Sequence, residues 1–278
     1  MAVESLPTRG GALWLENWIL AGTIAAYTDQ HVNYPAERLL SPHRSDTWQS
    51  SAVGSTVTLT FDLGEVKVPE CFGLFESNLD GGTYVRLRGS DDSGGSTNAV
   101  YWDLPLYRQD AVGKALGWYL GDPTSGTLGA GRQFWAVQLI PGTFGSYNTA
   151  EDYYEIGVAW LGEYVPIIPW EGIRIRPRDP SPSSKAFGQA RWSFPLKPYR
   201  EATVPLGGLT IAGAYELEEV VRAQGRKHAL LDVHAFSSDA ILKRGGRLYG
   251  YFAEDPLDAS ISSPEDNEVT LNFEEADG

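Results

Sequence analysis

Alternating apolar and polar positions mark several stretches of this chain as β-strands. The clearest is STVTLTFDLG at 55–64, where every second residue from Val57 to Leu63 is apolar and the residues between them are polar. A period of two is typical of a strand with one buried face. The apolar run from Leu13 to Tyr27 is predicted to be one more strand. Further β-like patterns predict strands at 83–89, 134–140, 155–161, 191–196, 229–236, 247–252 and 268–273.

One segment has a helical period instead. Ala214, Leu217 and Val221 are spaced as on one face of a helix, and the residues between them are mostly charged. Gly225 follows as a C-terminal stop. The sequence therefore predicts a helix over Ala214 to Gln224.

Composition agrees with short strands and tight turns. The 278 residues include 31 Gly and 17 Pro, and 42% are hydrophobic, which is enough to form a core. This length suits two domains of ordinary size. We expect a mainly β protein: an N-terminal jelly-roll β-sandwich followed by a small β domain with one α-helix.

A boundary is predicted at WEGIRIRPRDPSPSS, residues 170–184, which is rich in proline and arginine. We assign residues 1–167 to the first domain, 168–184 to a linker and 185–278 to the second domain. If the linker forms a strand, its isoleucines face one side and its guanidinium groups the other. That arrangement predicts an assembly interface, with a solvated connector as an equally weighted alternative. The proposed interface residues are Trp170, Arg174, Arg176 and Arg178.

Charge is distributed unevenly along the chain. The net charge is -14, which disfavours binding to nucleic acid. Residues 168–253 carry 13 basic and 8 acidic side chains, whereas residues 254–278 carry nine acidic and no basic ones. A basic face of one copy meeting the acidic segment of the next predicts a head-to-tail ring, and a solvated acidic tail is the alternative. The run from Leu13 to Tyr27 is interrupted by Glu16 and Asn17 and is shorter than a bilayer span, so no membrane insertion is expected.

Motifs for catalysis are missing from the sequence, so a non-enzymatic protein with no cofactor is predicted. His228 and His234 are too far apart along a strand to share a metal ion. A calcium ion held by Asp80, Asp91 or Asp92 lacks support from ligand spacing, and no metal is predicted. A hydrolase with a dispersed acid pair is the least favoured function. The single cysteine, Cys71, fits assembly in a reducing cytosol.

Aromatic residues beside predicted loops are the more informative candidates. Tyr34 and Tyr147 offer surfaces that stack on sugar rings or anchor protein contacts. Trp48 and Trp102 are interpreted as core or edge packing instead.

A set of short motifs occurs in order between Asn33 and Ser90. They read NYPAERLLSP, DTWQS, VTLTFDLG, FGLFESNL and YVRLRGS, and a later strand reads YEIGVAWLG. Together they resemble the discoidin (coagulation factor 5/8 type C) branch of the galactose-binding-like jelly rolls, over about residues 10–165. The resemblance implies a non-catalytic domain that binds sugars, lipids or proteins through loops at one end. The loops implied are Gln30 to Tyr34, Asn78 to Gly81 and Tyr147 to Tyr153, with Tyr34, Asn78, Asp80, Tyr147 and Asn148 as the binding residues.

The second part carries a weaker resemblance. RWSFPL, the short helix, GRLYGYF and VTLNFEE, within residues 191–276, are similar to the C-terminal part of minor tail proteins of long-tailed bacteriophages. This implies a virion structural protein of the tail tip or baseplate, assembled in the bacterial cytoplasm, with itself and other tail proteins as partners. The alternative is a carbohydrate-binding module that recognises a host cell-surface glycan.

Overall fold

The structure is a computed structural model of the chain. It describes residues 11–79, 83–104, 106–108, 115–120, 131–141, 152–167, 173–179, 183–185, 191–193, 199–233, 247–260 and 267–276. These residues form two compact units. One unit spans Glu16–Tyr164, and the other combines the described residues up to Leu15, including strand β1 (Gly11–Trp14), with those from Val165 onward.

The unit Glu16–Tyr164 is a β-sandwich with a short α-helix and a 3-10 helix. Its elements are α1 (Trp18–Ala21), β2 (Thr23–Tyr27), the 3-10 helix (Ala36–Leu40), β3 (Trp48–Gln49), β4 (Val57–Lys67), β5 (Cys71–Ser77), β6 (Thr83–Ser90), β7 (Val100–Leu104), β8 (Leu106–Arg108), β9 (Ala115–Leu120), β10 (Arg132–Pro141) and β11 (Glu155–Gly162).

Two five-stranded antiparallel sheets make up the sandwich, in the orders β2-β4-β10-β6-β7 and β3-β11-β5-β9-β8. In the first sheet Val137 on β10 lies opposite Leu59 on β4 and Leu87 on β6. All three side chains are buried in the core, as the alternation in the sequence predicts. Each large apolar side chain buried in this way contributes about 1.5–3 kcal/mol to stability. The expected jelly-roll β-sandwich is confirmed.

The apolar run from Leu13 to Tyr27 differs from its prediction. It contains β1, then the four-residue helix α1, then β2. Asn17 explains the interruption, because its side-chain oxygen accepts a hydrogen bond from the Ile19 amide at 3.2 Å and caps α1. Its amide nitrogen donates to the Ala159 carbonyl at 2.8 Å, which ties the capped turn to β11.

The second unit contains one long helix and one large sheet. After β1 its elements are β12 (Tyr164–Ile167, of which Tyr164 belongs to the sandwich unit), β13 (Arg174–Arg178), β14 (Ser183–Lys185), β15 (Arg191–Ser193), β16 (Tyr199–Leu209), α2 (Ile211–Gln224), β17 (Ala229–Asp232), β18 (Arg247–Ser260) and β19 (Asn267–Glu275). Strands β14 and β15 form a separate two-stranded sheet.

The large sheet must curve strongly. Its strand order is β12-β1-β17-β18-β19-β16-β13, so the two edge strands are neighbours in the chain, separated by six residues. Seven flat strands would place the edges about 29 Å apart, at roughly 4.8 Å per strand. The connection from Ile167 to Arg174 reaches about 24 Å at most. The sheet therefore wraps around a common core, in which Ile167 and Ile175 pack from opposite edges.

Helix α2 begins three residues before its predicted start. The Thr210 hydroxyl accepts a hydrogen bond from the Gly213 amide at 3.1 Å, so the helix starts at Ile211 rather than at the first buried residue, Ala214. Ala214, Leu217 and Val221 are buried against the sheet, as their spacing predicts. Among the residues described, no helix is long and apolar enough to cross a membrane.

The two units divide between Tyr164 and Val165, close to the predicted end of the first domain at residue 167, but the rest of the predicted division differs. The first domain was expected to start at residue 1, but β1 pairs with β17 of the second unit, placing Leu13 opposite Leu231. Residues 168–184 were expected to form a linker, but 174–178 form strand β13 within the sheet. Pairing between distant strands decides both differences, and local composition does not record it.

Candidate functional site

Three chain segments meet at one end of the sandwich, and two of them are loops that the sequence singled out. The amide of His31 donates to the Gln49 carbonyl at 2.8 Å, and the Gln49 amide donates to the Tyr34 carbonyl at 3.2 Å. The Ser50 amide donates to the Tyr154 carbonyl at 2.9 Å. The turn at 31–34 is therefore joined through β3 to the start of β11.

Asn78, the residue after β5, connects two of the strands at this end through hydrogen bonds of its side chain. Its amide nitrogen donates to the Tyr153 carbonyl at 2.7 Å, and its amide oxygen accepts from the Glu155 backbone at 2.6 Å. Both ends of the amide are thus engaged by the protein itself. The sequence placed Asn78 among the ligand-binding residues, and in the structure it positions the loop before β11.

Tyr34 presents a ring at the same end. The Arg38 guanidinium lies 4.8 Å from the ring centroid, and the His31 ring lies 5.5 Å away. These contacts orient the half-buried phenol ring. At the tip of the turn Val32 is 85% exposed, so the turn offers an apolar surface beside the aromatic one.

The remaining predicted loop residues, Asp80, Tyr147 and Asn148, lie outside the described residues, as does Trp170 of the predicted assembly interface. Trp48 is fully buried, in agreement with its interpretation as a core residue.

Polar pairs between distant segments also belong to this end of the sandwich. The Gln49 side chain donates to the Glu155 carboxylate at 3.0 Å, across 106 positions of sequence. The Ser51 hydroxyl donates to the Asp29 carboxylate at 2.5 Å. Neither pair could be read from the sequence, because no local spacing records which polar side chains meet across 22 or 106 positions.

The acidic turn after β6 satisfies its own carboxylates. Asp92 accepts hydrogen bonds from the Thr97 amide at 2.7 Å and the Ser96 amide at 2.9 Å. These bonds, the one from Thr97 first, lower the pKa of Asp92. Asp91 accepts a hydrogen bond from the side-chain amide nitrogen of Asn98 at 2.7 Å and lies 3.4 Å from the Arg132 guanidinium. Within the described part of the chain, no group of three His, Cys, Asp or Glu residues is arranged to hold a metal ion.

The predicted assembly arginines lie on an edge strand. β13 pairs with β16, with Arg176 opposite Glu201, and Arg178 forms a 2.7 Å ion pair with Glu201. Ile175 packs on the core while Arg174, Arg176 and Arg178 are exposed, which is the two-sided strand predicted from their spacing. Arg174 and Arg176 have no side-chain partner among the described residues.

The acidic C-terminal segment is built into the same sheet. Residues 267–275 form β19 between β16 and β18 and are not a free tail. Glu275 forms a bidentate ion pair with Arg200 at 2.7 and 2.8 Å, so its carboxylate is engaged within the protein. The exposed Glu268 and the half-buried Glu274 have no hydrogen-bond or ion-pair partner among the described residues.

Comparisons with known proteins add distant structural likenesses. No protein-family model matches the chain, and no curated protein matches it. Chitosan-binding module 2 of a chitosanase/glucanase from Paenibacillus sp. IK-5, solved with chitotriose, is 14% identical and covers 53% of this chain and 100% of the module, with a TM-score of 0.38. The lectin domain of lectinolysin, complexed with Lewis B antigen, is 9% identical over 52% of this chain and 95% of that domain, with a TM-score of 0.36. A chain from the structure of reduced XRCC1 bound to the DNA polymerase β catalytic domain is 12% identical over 50% of this chain and 93% of that one, with a TM-score of 0.38. Similarity at this level assigns neither a fold nor a function to this chain.

Proposed function

We propose that this protein is a non-enzymatic structural component of the tail tip or baseplate of a long-tailed bacteriophage. In this proposal the second unit joins the protein to further copies of itself and to other tail proteins. The loop end of the sandwich contacts neighbouring proteins or the host surface. The protein is assembled in the cytoplasm of the bacterial host and resides in the virion tail.

Strand β13 is the observation that supports assembly through the second unit. It lies at the edge of the seven-stranded sheet, and among the described strands it pairs only with β16. An unpaired edge exposes backbone N–H and C=O groups to another chain. Arg174 and Arg176 add two exposed cations without described partners, which favours an acidic surface as the neighbour.

Such an acidic surface is present on the same protein. Glu268 on β19 is an exposed carboxylate without a hydrogen-bond or ion-pair partner among the described residues. A basic edge and an acidic strand on one chain are complementary between successive copies, as a head-to-tail ring requires. Exposed ion pairs of this kind are weakened by salt, so assembly is expected to weaken as ionic strength rises.

The test of assembly is the double variant Arg174→Ser/Arg176→Ser. Sedimentation at low salt, alone and with neighbouring tail proteins, is expected to show oligomers for the unmodified chain and mostly monomers for the variant. Arg222→Ser is the matched control, because Arg222 is exposed but bonded within α2 to Glu218 at 2.5 Å. Monomers under all these conditions for the unmodified chain contradict assembly through β13.

The place in the virion needs a separate measurement. Negative-stain microscopy of phage particles labelled with an antibody to this protein is expected to show label at the tail tip. Label elsewhere on the particle, or no labelled particles, contradicts the tail role and leaves assembly to be judged from sedimentation.

A second candidate function is favoured by the geometry around Tyr34. An oriented phenol ring beside the half-buried Arg38 guanidinium and the exposed Val32 suits a lectin-like role towards a host glycan. Selective glycan-array binding by the monomer, lost in Tyr34→Ala, would make this the primary function.

A further inference from the structure

A pocket in the second unit contains neither the residues of the loop end of the sandwich nor the exposed residues Arg174, Arg176 and Glu268 of the proposed assembly surface. Its volume is about 340 Å³, and it is lined by Arg226, His228, Tyr251, Phe252 and Glu274. This volume is near the lower end of the roughly 300–1,000 Å³ that small-molecule sites occupy. Arg226 and His228 follow helix α2, Tyr251 and Phe252 lie on β18, and Glu274 lies on β19.

Sheet register explains why these residues meet. Tyr251 on β18 lies directly opposite Glu274 on β19, so their side chains share one face of the sheet. His228 immediately precedes β17, which pairs with β18, and its ring lies 6.2 Å from the Tyr251 ring. The pairing of three strands thus gathers residues that are far apart in the sequence.

Aromatic rings form the walls of the pocket. The His228 and Tyr251 rings meet at 84°, which makes a corner of two nearly perpendicular planes. The His228 ring is also stacked on the ring of Tyr249, with 5.3 Å between the ring centroids and 20° between the planes. Phe252, the next residue on β18, also lines the pocket, while its ring packs edge-on against Phe273 in the core at 5.5 Å. Rigid aromatic surfaces of this kind pack against the C–H faces of a ring-shaped ligand.

Two charged side chains, Arg226 and Glu274, supply the hydrogen-bonding groups of the pocket. The Arg226 guanidinium only donates hydrogen bonds, and the Glu274 carboxylate only accepts them when ionised. Neither side chain has a hydrogen-bond or ion-pair partner among the described residues. They are therefore both available to a ligand.

Charge in the pocket disfavours a ligand that is only an anion or only a cation. An anion attracted by Arg226 is repelled by Glu274, and a cation meets the opposite pair of forces. The pKa of Arg178 is raised first by its ion-pair partner Glu201, and Glu274 adds only the smallest of the contributions to that shift. A hydroxyl group both donates and accepts, so adjacent hydroxyls on one molecule satisfy both side chains.

We infer that this pocket binds one neutral sugar residue, packed against the Tyr251–His228 corner and hydrogen-bonded to Arg226 and Glu274. This site is separate from the loop end of the sandwich and does not depend on the proposed assembly. A shallow site of this size gives weak binding per copy, which several copies in one assembly strengthen through avidity.

The experiment is saturation-transfer NMR and calorimetry on the full chain. The probes are free D-glucose, D-galactose and N-acetyl-D-glucosamine, with glycine as a zwitterionic competitor. At least one sugar is expected to bind in the millimolar range. Glu274→Gln and Tyr251→Ala are each expected to reduce the affinity for that sugar by about tenfold or more. The first variant loses a charge-assisted hydrogen bond, and the second loses the aromatic wall.

Two controls separate this pocket from other sites. Glu268→Gln removes an exposed carboxylate from the same strand, and Tyr34→Ala removes the ring at the loop end of the sandwich. Glu268→Gln is expected to leave the affinity unchanged, whereas Tyr34→Ala tests for a separate sugar site on the sandwich. Thermal melting checks that each variant is folded, and the nearly isosteric Glu274→Gln decides the outcome if Tyr251→Ala is unfolded.

Three results would overturn the inference: no binding of any of the three sugars, sugar binding that survives Glu274→Gln, or binding of glycine in their place. Sugar binding that is lost only in Tyr34→Ala assigns the site to the sandwich and likewise rejects the pocket.

Discussion

The side-chain amide nitrogen of Gln224 lies 2.6 Å from the carbonyl oxygen of Leu15, a residue 209 positions earlier in the chain. The same nitrogen donates to the His228 carbonyl at 2.9 Å. Gln224 is the last residue of α2 and is buried. One side-chain amide at the end of α2 thus connects Leu15, which follows β1, with His228, which precedes β17.

Replacing Gln224 by Leu is expected to destabilise the protein. The change removes a buried donor and leaves two carbonyl groups without it, which costs about 1–3 kcal/mol. Urea unfolding measures this difference. The control Glu219→Leu changes an exposed position of the same helix and is expected to have an effect within about 0.5 kcal/mol. Equal effects of the two changes would show that the Gln224 bonds add no stability.

Asn78→Ala is expected to loosen the loop end of the sandwich. The variant leaves the Tyr153 carbonyl and the Glu155 amide without their partner, a loss of about 1–3 kcal/mol. Amide exchange at Glu155, followed by NMR or mass spectrometry, is expected to accelerate. Asn33→Ala, at an exposed position in the neighbouring turn, is the control and is expected to leave exchange at Glu155 unchanged.

Two glycines of the second unit are expected to respond in opposite directions to alanine. At Gly250 a Cβ would overlap the backbone carbonyl of Glu274 on the paired strand, so Gly250→Ala is expected to cost about 3 kcal/mol or more. At Gly213 the nearest atom to a Cβ is the Thr210 hydroxyl at 3.4 Å, an ordinary contact. Gly213→Ala is therefore expected to stabilise the protein by about 0.5–1 kcal/mol. Thermal unfolding of both variants measures the contrast, and a shared sign would refute it.

Glu70→Gln is expected to stabilise the protein at neutral pH. Burial first, and then the charge of Glu163, raise the pKa of Glu70 in the folded state. Because the pKa is higher in the folded state than in the unfolded state, ionised Glu70 lowers the free energy of unfolding at pH values above the folded-state pKa. This destabilisation disappears when the pH falls below the unfolded-state pKa of 4.5, where the carboxyl is protonated in both states. The gain from Glu70→Gln is therefore expected at pH 7 and should vanish as the pH falls below that value. Unfolding measured from pH 4 to pH 8 tests the trend, and a gain that grows towards low pH would contradict it.

Helix α2 and strand β4 show how much local pattern determines. The period at Ala214, Leu217 and Val221 predicted the helix and its buried face, and only its first turn was missed, because the cap at Thr210 lies outside the apolar stripe. The alternation from Val57 onward predicted β4 and the buried positions Leu59 and Phe61. In both elements the side chains that repeat with the backbone period are the ones that pack.

Asn78 and Arg176 show that local sequence pattern does not predict which contacts a polar residue makes in the folded protein. The sequence placed both among residues that contact a ligand or a partner, yet Asn78 bonds to backbone groups 75 and 77 positions away. The spacing of Arg176 around Ile175 did predict a two-sided strand, but its edge position follows from pairing with β16. A residue that bonds within the fold and one that faces outward look alike in sequence.

Local patterns in the sequence were enough to predict the mainly β class, the long helix, the faces of the strongly alternating strands and the chain segments that approach the loop end of the sandwich. Each of these depends on a period of two to four residues or on a short motif. Only the tertiary structure decided that β1 belongs to the second unit, that the supposed linker is an edge strand, and that Arg226, Tyr251 and Glu274 line one pocket. Those outcomes depend on hydrogen bonds between strands tens to hundreds of residues apart, whose energies are set by register and curvature of the whole sheet and leave no local period to read.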